Sequence, residues 1–207
     1  MAGRRKYDSS TRAEGSRATR RRILDAAQEL FLAKGYLGTT LDGIAAHAEV
    51  SPQTVYNLVG GKAALFKAVY DVTLAGDDEP IPLVDRPVFQ EVLQADSPQA
   101  AFTAYAEVGQ LLWERVGPLV RIAAGNGELR AFVATIEAER STGVRRLVHH
   151  LAERFGLRPG LTEDRAADIV WVLAAPEMID RLVVERGWTW NAYREWVAET
   201  ATHALFA

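Results

Sequence analysis

TTLDGIAAHAEVSPQTVYNLVGGK, residues 39–62, reads as two short helices joined by a tight turn. Thr40 has the side chain of an N-cap for a helix from Leu41 to about Ala48, in which Ile44 and Ala45 give a narrow apolar stripe. Ser51 is placed to cap the next helix. Pro52 fits its first turn, where the missing N–H would have had no intrahelical partner. Val55 and Leu58, three apart, mark its inner side and leave Gln53, Thr54, Tyr56 and Asn57 for other faces. A two-turn helix is marginal alone, so a polar outer surface on it needs support from neighbouring helices, as in a helix-turn-helix reading head. Capped helix pairs also occur in many all-α domains, so the flanking sequence has to decide.

Charge is divided along the chain. The formal net charge of the 207 residues is −3, yet residues 1–75 carry 11 Lys or Arg against 7 Asp or Glu, and residues 76–207 carry 13 against 20. Within the first 22 residues the count is 8 basic to 2 acidic. A polyanion is attracted to that end and repelled by the remainder, although a basic tail can also be simply solvated. The chain has no cysteine, which excludes disulfides and thiolate chemistry. Its start, MAGRRKYDSSTRAEGSRATRRR, is polar and basic and does not resemble a signal peptide, and no later run suits a membrane span, so a cytoplasmic protein is expected.

Residues 1–15 lack apolar periodicity and read as a flexible basic arm, in which Arg4, Arg5 and Lys6 can follow a phosphate backbone. A DNA-binding domain is expected over 16–75. Ile23, Ala27, Leu30 and Phe31 predict an amphipathic first helix from about Ser16 to Lys34, stopped by Gly35, and Lys62 opens a helix carrying Leu65, Phe66 and Val69. Residues 76–97, with 6 acidic residues, 1 basic residue and Pro80, Pro82 and Pro87, read as an acidic linker holding at most a short helical turn around Phe89–Leu93. Residues 98–207 form the second expected domain. There a helix from Pro98 should end at Gly117 and Pro118, and a long helix follows from Leu129 to Phe155. Thr162 caps another, which Pro176 should kink or divide; Thr189 caps the last, with Trp188 and Tyr193 placed as a hydrophobic staple. No segment alternates like a strand, so the chain is expected to be all-α.

The sequence TRRRILDAAQELFLAKGYLGTTLDGIAAHAEVSPQTVYNLVGGKAALFKAVYD, residues 19–71, resembles the tetracycline-repressor (TetR) family of bacterial transcription regulators. It repeats the family's order of an apolar first helix, a Gly-aromatic turn, a Thr-Thr cap, an Ile-Ala pair, a Val-Ser turn, a Thr-x-Tyr recognition helix and a Lys-x-x-Leu-Phe helix. The resemblance implies that Thr40, Thr54, Tyr56 and Lys62 position phosphates, that Gln53 and Asn57 face the groove floor, and that Ser51 acts mainly as a cap. There are departures. Glu49 stands where the family usually has Gly, so it is expected at φ > 0, and Leu58 and Val59 replace an aromatic pair.

The resemblance also implies a homodimer on a pseudo-palindromic double-stranded operator, joined through the last helices, where Ile179, Leu182, Val183, Trp196, Val197 and Ala204 are the candidate residues. It implies a small-molecule effector pocket in the second domain whose occupation releases DNA. Phe102, Tyr105, Trp113 and Trp171 are its candidate wall and suit an apolar or aromatic ligand, though aromatics at helical spacing are also ordinary core. The expected function is therefore a ligand-responsive repressor, with no cofactor, no metal and no catalytic residues. A nearer alternative is a ligand- or partner-binding module of the same fold with a degenerate reading head, motivated by Glu49, Leu58 and Val59. A more distant one is an enzyme using His149, His150 and Glu153, although adjacent histidines point in different directions on a helix.

Overall fold

Helix α1, Arg4–Lys34, begins well before the expected boundary near Ser16. The computed structural model describes residues 4–77, 79, 81 and 83–207, with side chains from Ala13 onward except that of Val84. The expected flexible arm is thus helical from Arg4. Its sequence holds no proline, and a helix already nucleated on the packed stretch from Ile23 extends at the gain of one hydrogen bond per residue fixed. Pro80 and Pro82, expected to break any helix in the acidic segment, lie outside the described residues.

The remaining elements are α2 Leu41–His47, α3 Pro52–Leu58, α4 Lys62–Ala75, α5 Pro87–Gln94, α6 Pro98–Ala124, α7 Arg130–Phe155, α8 Glu163–Leu173, α9 Pro176–Ile179 with a π-helical continuation Asp180–Glu185, and α10 Trp190–Phe206. Short 3-10 turns occupy Leu83–Asp85 and Gly127–Leu129. No strand occurs among the described residues, and the fold is all-α. No helix of the described residues is long and apolar enough to cross a membrane.

The chain divides into two compact units that are not contiguous in sequence: Met1–Asp77 with Pro118–Phe132, and Asp78–Gly117 with Val133–Ala207. In the first unit, α2 and α3 pack on each other and both pack on α1, which also meets α4. Its core holds Ile23, Phe31, Ile44, Val55, Leu65 and Phe66, all fully buried. Phe132, from the returning segment, meets Phe66 edge-on at 5.1 Å and Tyr70 at 5.2 Å, which explains why residues far along the chain join this unit.

The second unit has its own core around Val92, Phe102, Val144, Leu151, Val170 and Leu205. Val92 makes α5 part of that core rather than part of a linker. His150 Nε2 lies 2.8 Å from the Leu93 carbonyl and Arg154 donates to the same oxygen at 2.6 Å, which fastens the end of α5 to α7. Helix α6 runs through Gly117 and Pro118 instead of ending there. Val116, in the second unit, and Leu119, in the first, are each buried, and that burial on both sides of the pair outweighs the backbone bond that proline cannot make. Pro176, as expected, opens a separate helix. The ring partner of Trp188 is Trp196, met edge-on at 6.2 Å, rather than Tyr193, which instead packs with Trp190 and Trp196.

Candidate nucleic-acid interface

Two side-chain caps build the helix pair of the first unit. Thr40 Oγ1 accepts the Gly43 N–H at 3.0 Å, and Ser51 Oγ accepts the Thr54 N–H at 3.1 Å while lying 2.8 Å from the Thr54 hydroxyl. Each satisfies a donor that a helix start leaves without an intrahelical acceptor. Thr39, 1% exposed, does a different job: its hydroxyl lies 3.0 Å from the Leu30 carbonyl and 2.8 Å from that of Gly35, tying the end of α1 to the start of α2. His47 Nε2 and Glu29 Oε2, 2.8 Å apart, add an exposed link between α2 and α1.

The turn between α2 and α3 passes through Glu49 at φ 54°, the one non-glycine residue with positive φ among the described residues. Beyond it, Val55 is fully buried and holds α3 down. Gln53, Tyr56 and Asn57 are exposed, Tyr56 by 61%, and Thr54 is half-buried against its cap. Gln53 Nε2 donates to Asn57 Oδ1 at 2.8 Å, so the two amides are paired across one turn. The arrangement presents amide and phenol groups from a short helix that is anchored by its inner side.

Lys62, at the start of α4, sits with its ammonium 4.2 Å from the centre of the Tyr36 ring. That ring is itself fixed, stacked on Phe31 at 5.8 Å and edge-on to Phe66 at 5.6 Å. Burial, and next the charge of Glu128, push the Tyr36 phenol above its ordinary range, so it stays neutral and its electron-rich face remains available to the cation. Tyr36 was not among the residues expected at the site. The Gly-aromatic turn that contains it was legible, but its pairing with Lys62 depends on how α4 packs on α1. The side chains of Arg4, Arg5 and Lys6 lie outside the described residues.

Residues 23–69 match the family described as bacterial regulatory proteins, tetR family. Over those residues the chain is similar to the TetR family. A curated relative, the HTH-type transcriptional regulator YdeS of Bacillus subtilis (strain 168), is 26% identical over 90% of this chain and 94% of its own length. The crystal structure of NalD, the secondary repressor of the MexAB-OprM multidrug efflux pump in Pseudomonas aeruginosa, superposes with a TM-score of 0.68 at 27% identity, over 93% of this chain and 98% of that one. SmeT, seen as its triclosan complex, shares the fold at 20% identity with a TM-score of 0.66, over 92% of each chain. The chain is accordingly a DNA-binding transcriptional regulator, and the alternatives weighed on the sequence are not favoured.

In the second unit, Phe102 and Trp113 are buried and Tyr105 is half-buried. Burial raises the pKa of Tyr105 and that of Tyr193, against a smaller lowering by Arg140 in both cases. Trp171, expected in an internal wall, is instead 36% exposed, with the Arg140 guanidinium 4.7 Å from its ring centre. Of the candidate dimer residues, Ile179 and Val197 are buried within the unit, which makes them core, whereas Leu182, Val183, Trp196 and Ala204 are half-buried. Val172, Val184 and Trp188, not among the dimer candidates named from the sequence, are exposed by 51%, 55% and 36%. Period alone could not separate them from core, because Val172 and Val184 lie within unbroken apolar runs, 169–173 and 182–184. His149 and His150 do not face a common point: His149 lies near Glu153 and Glu163, His150 at the Leu93 carbonyl.

Proposed function

We propose that the chain is a repressor that binds a pseudo-palindromic operator as a homodimer and is released by a small molecule. The observation that carries this reading is helix α3, which holds Gln53, Tyr56 and Asn57 exposed above a fully buried Val55. Tyr56, Thr54 and the Thr40 hydroxyl serve as phosphate-side groups, Ser51 serves mainly as the cap that holds Thr54, and Lys62 supplies the positive charge. Arg4, Arg5 and Lys6 add a basic approach along the backbone. NalD is named as a repressor, which supports repression over activation here.

The dimer forms through exposed apolar side chains of α8, the π-helical turn and the loop before α10, including Val172, Val184 and Trp188, with Leu182, Val183, Trp196 and Ala204 at their margin. The effector enters the second unit, against Phe102, Tyr105 and Trp113. The raised pKa values of Tyr105 and Tyr193 keep both phenols neutral near pH 7, so each can donate a hydrogen bond to an acceptor on an otherwise apolar or aromatic molecule. That SmeT was seen with triclosan supports a fold able to take such a ligand.

Selection of a random duplex library by the purified protein at moderate salt, followed by sequencing, tests the reading. An enriched palindrome whose retention falls steeply with added salt is expected. Retention with no enriched sequence, or none at all, would overturn it.

A further inference from the structure

Lys62 is a half-buried cation at the start of α4, and no carboxylate among the described residues pairs with it. Lys67 of the same helix differs, because its ammonium lies 2.6 Å from Asp71 Oδ1. A carboxylate cancels the charge it holds. The face of an aromatic ring attracts a cation through its quadrupole and carries no net charge. The Lys62 ammonium, 4.2 Å from the centre of the Tyr36 ring, is thus held without being neutralised. The ring that holds it belongs to the turn between α1 and α2, not to α4. It is only 5% exposed, packed between Phe31 and Phe66, so it cannot follow a moving lysine. Thr39 fastens the same turn to the Leu30 and Gly35 carbonyls.

We propose that Tyr36 is a positioning residue for DNA binding, whose ring face holds the Lys62 ammonium in place before a phosphate arrives. A lysine side chain has a long flexible stem, and ordering such a chain during binding lowers affinity. Tyr36 orders it in the free protein, so that loss is met in folding and not in binding. The ring covers one side of the ammonium, and the remaining N–H donors stay open to a phosphate oxygen. Because Tyr36 is anchored beside α2, the charge of Lys62 keeps a fixed place relative to the helix pair α2 and α3. The phosphate contact thereby sets the register in which the reading helix meets the groove.

This inference rests on the phosphate role proposed for Lys62, and its test separates the two. Binding of a mixed-sequence duplex is measured over a range of salt for the wild type, Tyr36→Phe, Tyr36→Leu, Lys62→Ala and the variant combining Tyr36→Leu with Lys62→Ala. Helix content and melting are checked for each. Lys62→Ala should lower the slope of log affinity against log salt by about 0.9 per bound protomer. Tyr36→Phe keeps a ring face and should bind as the wild type does. Tyr36→Leu should weaken binding by about 2- to 12-fold per protomer, the span for ordering one long side chain, with the slope kept because the charge remains. In the Lys62→Ala background it should have no further effect, a result that a purely structural role of the ring does not give. If Tyr36→Leu fails to fold, NMR of the wild type decides. The chain has four lysines, and the Lys62 ε-methylene resonances are assigned by their loss in Lys62→Ala. They should lie upfield of free lysine values, in the ring current of Tyr36, and stay there with DNA bound. A wild type that binds no duplex, or an unchanged slope for Lys62→Ala, would overturn the phosphate role and this inference together. Where Lys62→Ala behaves as expected, four results would overturn the inference alone: equal losses from Tyr36→Leu in both backgrounds, no loss, tighter binding, or lysine resonances that leave the ring current when DNA binds.

Discussion

Glu49 is held at φ 54° in the turn that sets α3 against α2, where an L side chain crowds the following carbonyl at a cost of about 1–2 kcal/mol. Its carboxylate is exposed and lies two residues from the cap of the reading helix. Glu49→Gly removes the strain, although the freer unfolded chain takes back about 0.5–1 kcal/mol. The expected net gain is up to about 1 kcal/mol in denaturant melts, together with tighter binding to all duplexes at low salt, since one negative charge is gone. A lower melting midpoint would show that the side chain makes a contact worth more than the strain. The need for positive φ here was legible only through the family resemblance, which usually places Gly at this position. Gln53, Tyr56 and Asn57 were legible as outward-facing from the local pattern, being the positions that Val55 leaves free. Tyr36 was not legible, because its contact with Lys62 joins two elements that meet only through packing.

Helix ends followed local rules where caps made them. Thr40, Ser51, Thr162 and Thr189 each accept the expected backbone N–H. Helix α6 did not, because burial of Val116 and Leu119 decides its course and no short-range signal reports burial. Gly117 has a packing reason to lie there: a Cβ on it would come within 3.0 Å of the Trp113 indole, itself 8% exposed, whereas a Cβ on Gly109 of the same helix meets nothing within 4 Å. Both positions would gain about 1 kcal/mol of helix propensity as alanine. Gly109→Ala should therefore stabilise, and Gly117→Ala should destabilise by about 1–2 kcal/mol net once the indole is displaced, which urea titrations of the pair would measure. Equal shifts would mean that Trp113 has room to move. At the junction of α7 and α8, His149 Nδ1 lies 3.0 Å from Glu163 Oε2 and its Nε2 3.6 Å from Glu153 Oε1. The bond to Glu163 first, and the charges of Glu153 and Glu163 next, raise its pKa above 6.5. A raised folded-state pKa stabilises the protein fully below 6.5, and that contribution is lost as pH rises through the raised value. His149→Gln should flatten the fall in stability over that window, as read from thermal melts at stepped pH.

For the whole molecule, the separation of charge along the chain sets the sign of its long-range attraction to DNA, and assembly sets how many reading heads act at once. One head of a single short helix contacts few base edges, so specificity on a genome depends on two heads bound in one event. That makes the exposed apolar side chains of the second unit a functional matter as well as a packing one. Val184 is 55% exposed and lies in the π-helical turn Asp180–Glu185, where none of its neighbours in the turn is buried, so a charge placed there leaves the core intact. In a dimer seam the same charge would be buried without a partner, at a cost of several kcal/mol. Val184→Asp should therefore sediment as a monomer at concentrations where the wild type is dimeric, with unchanged helix content. Its binding to a full palindrome should fall to the level of a half-site, while binding to an isolated half-site stays as in the wild type. A variant that remains dimeric would place the seam elsewhere on the second unit. A monomer with full palindrome affinity would break the link between assembly and operator recognition, because two independent heads cannot share one association event.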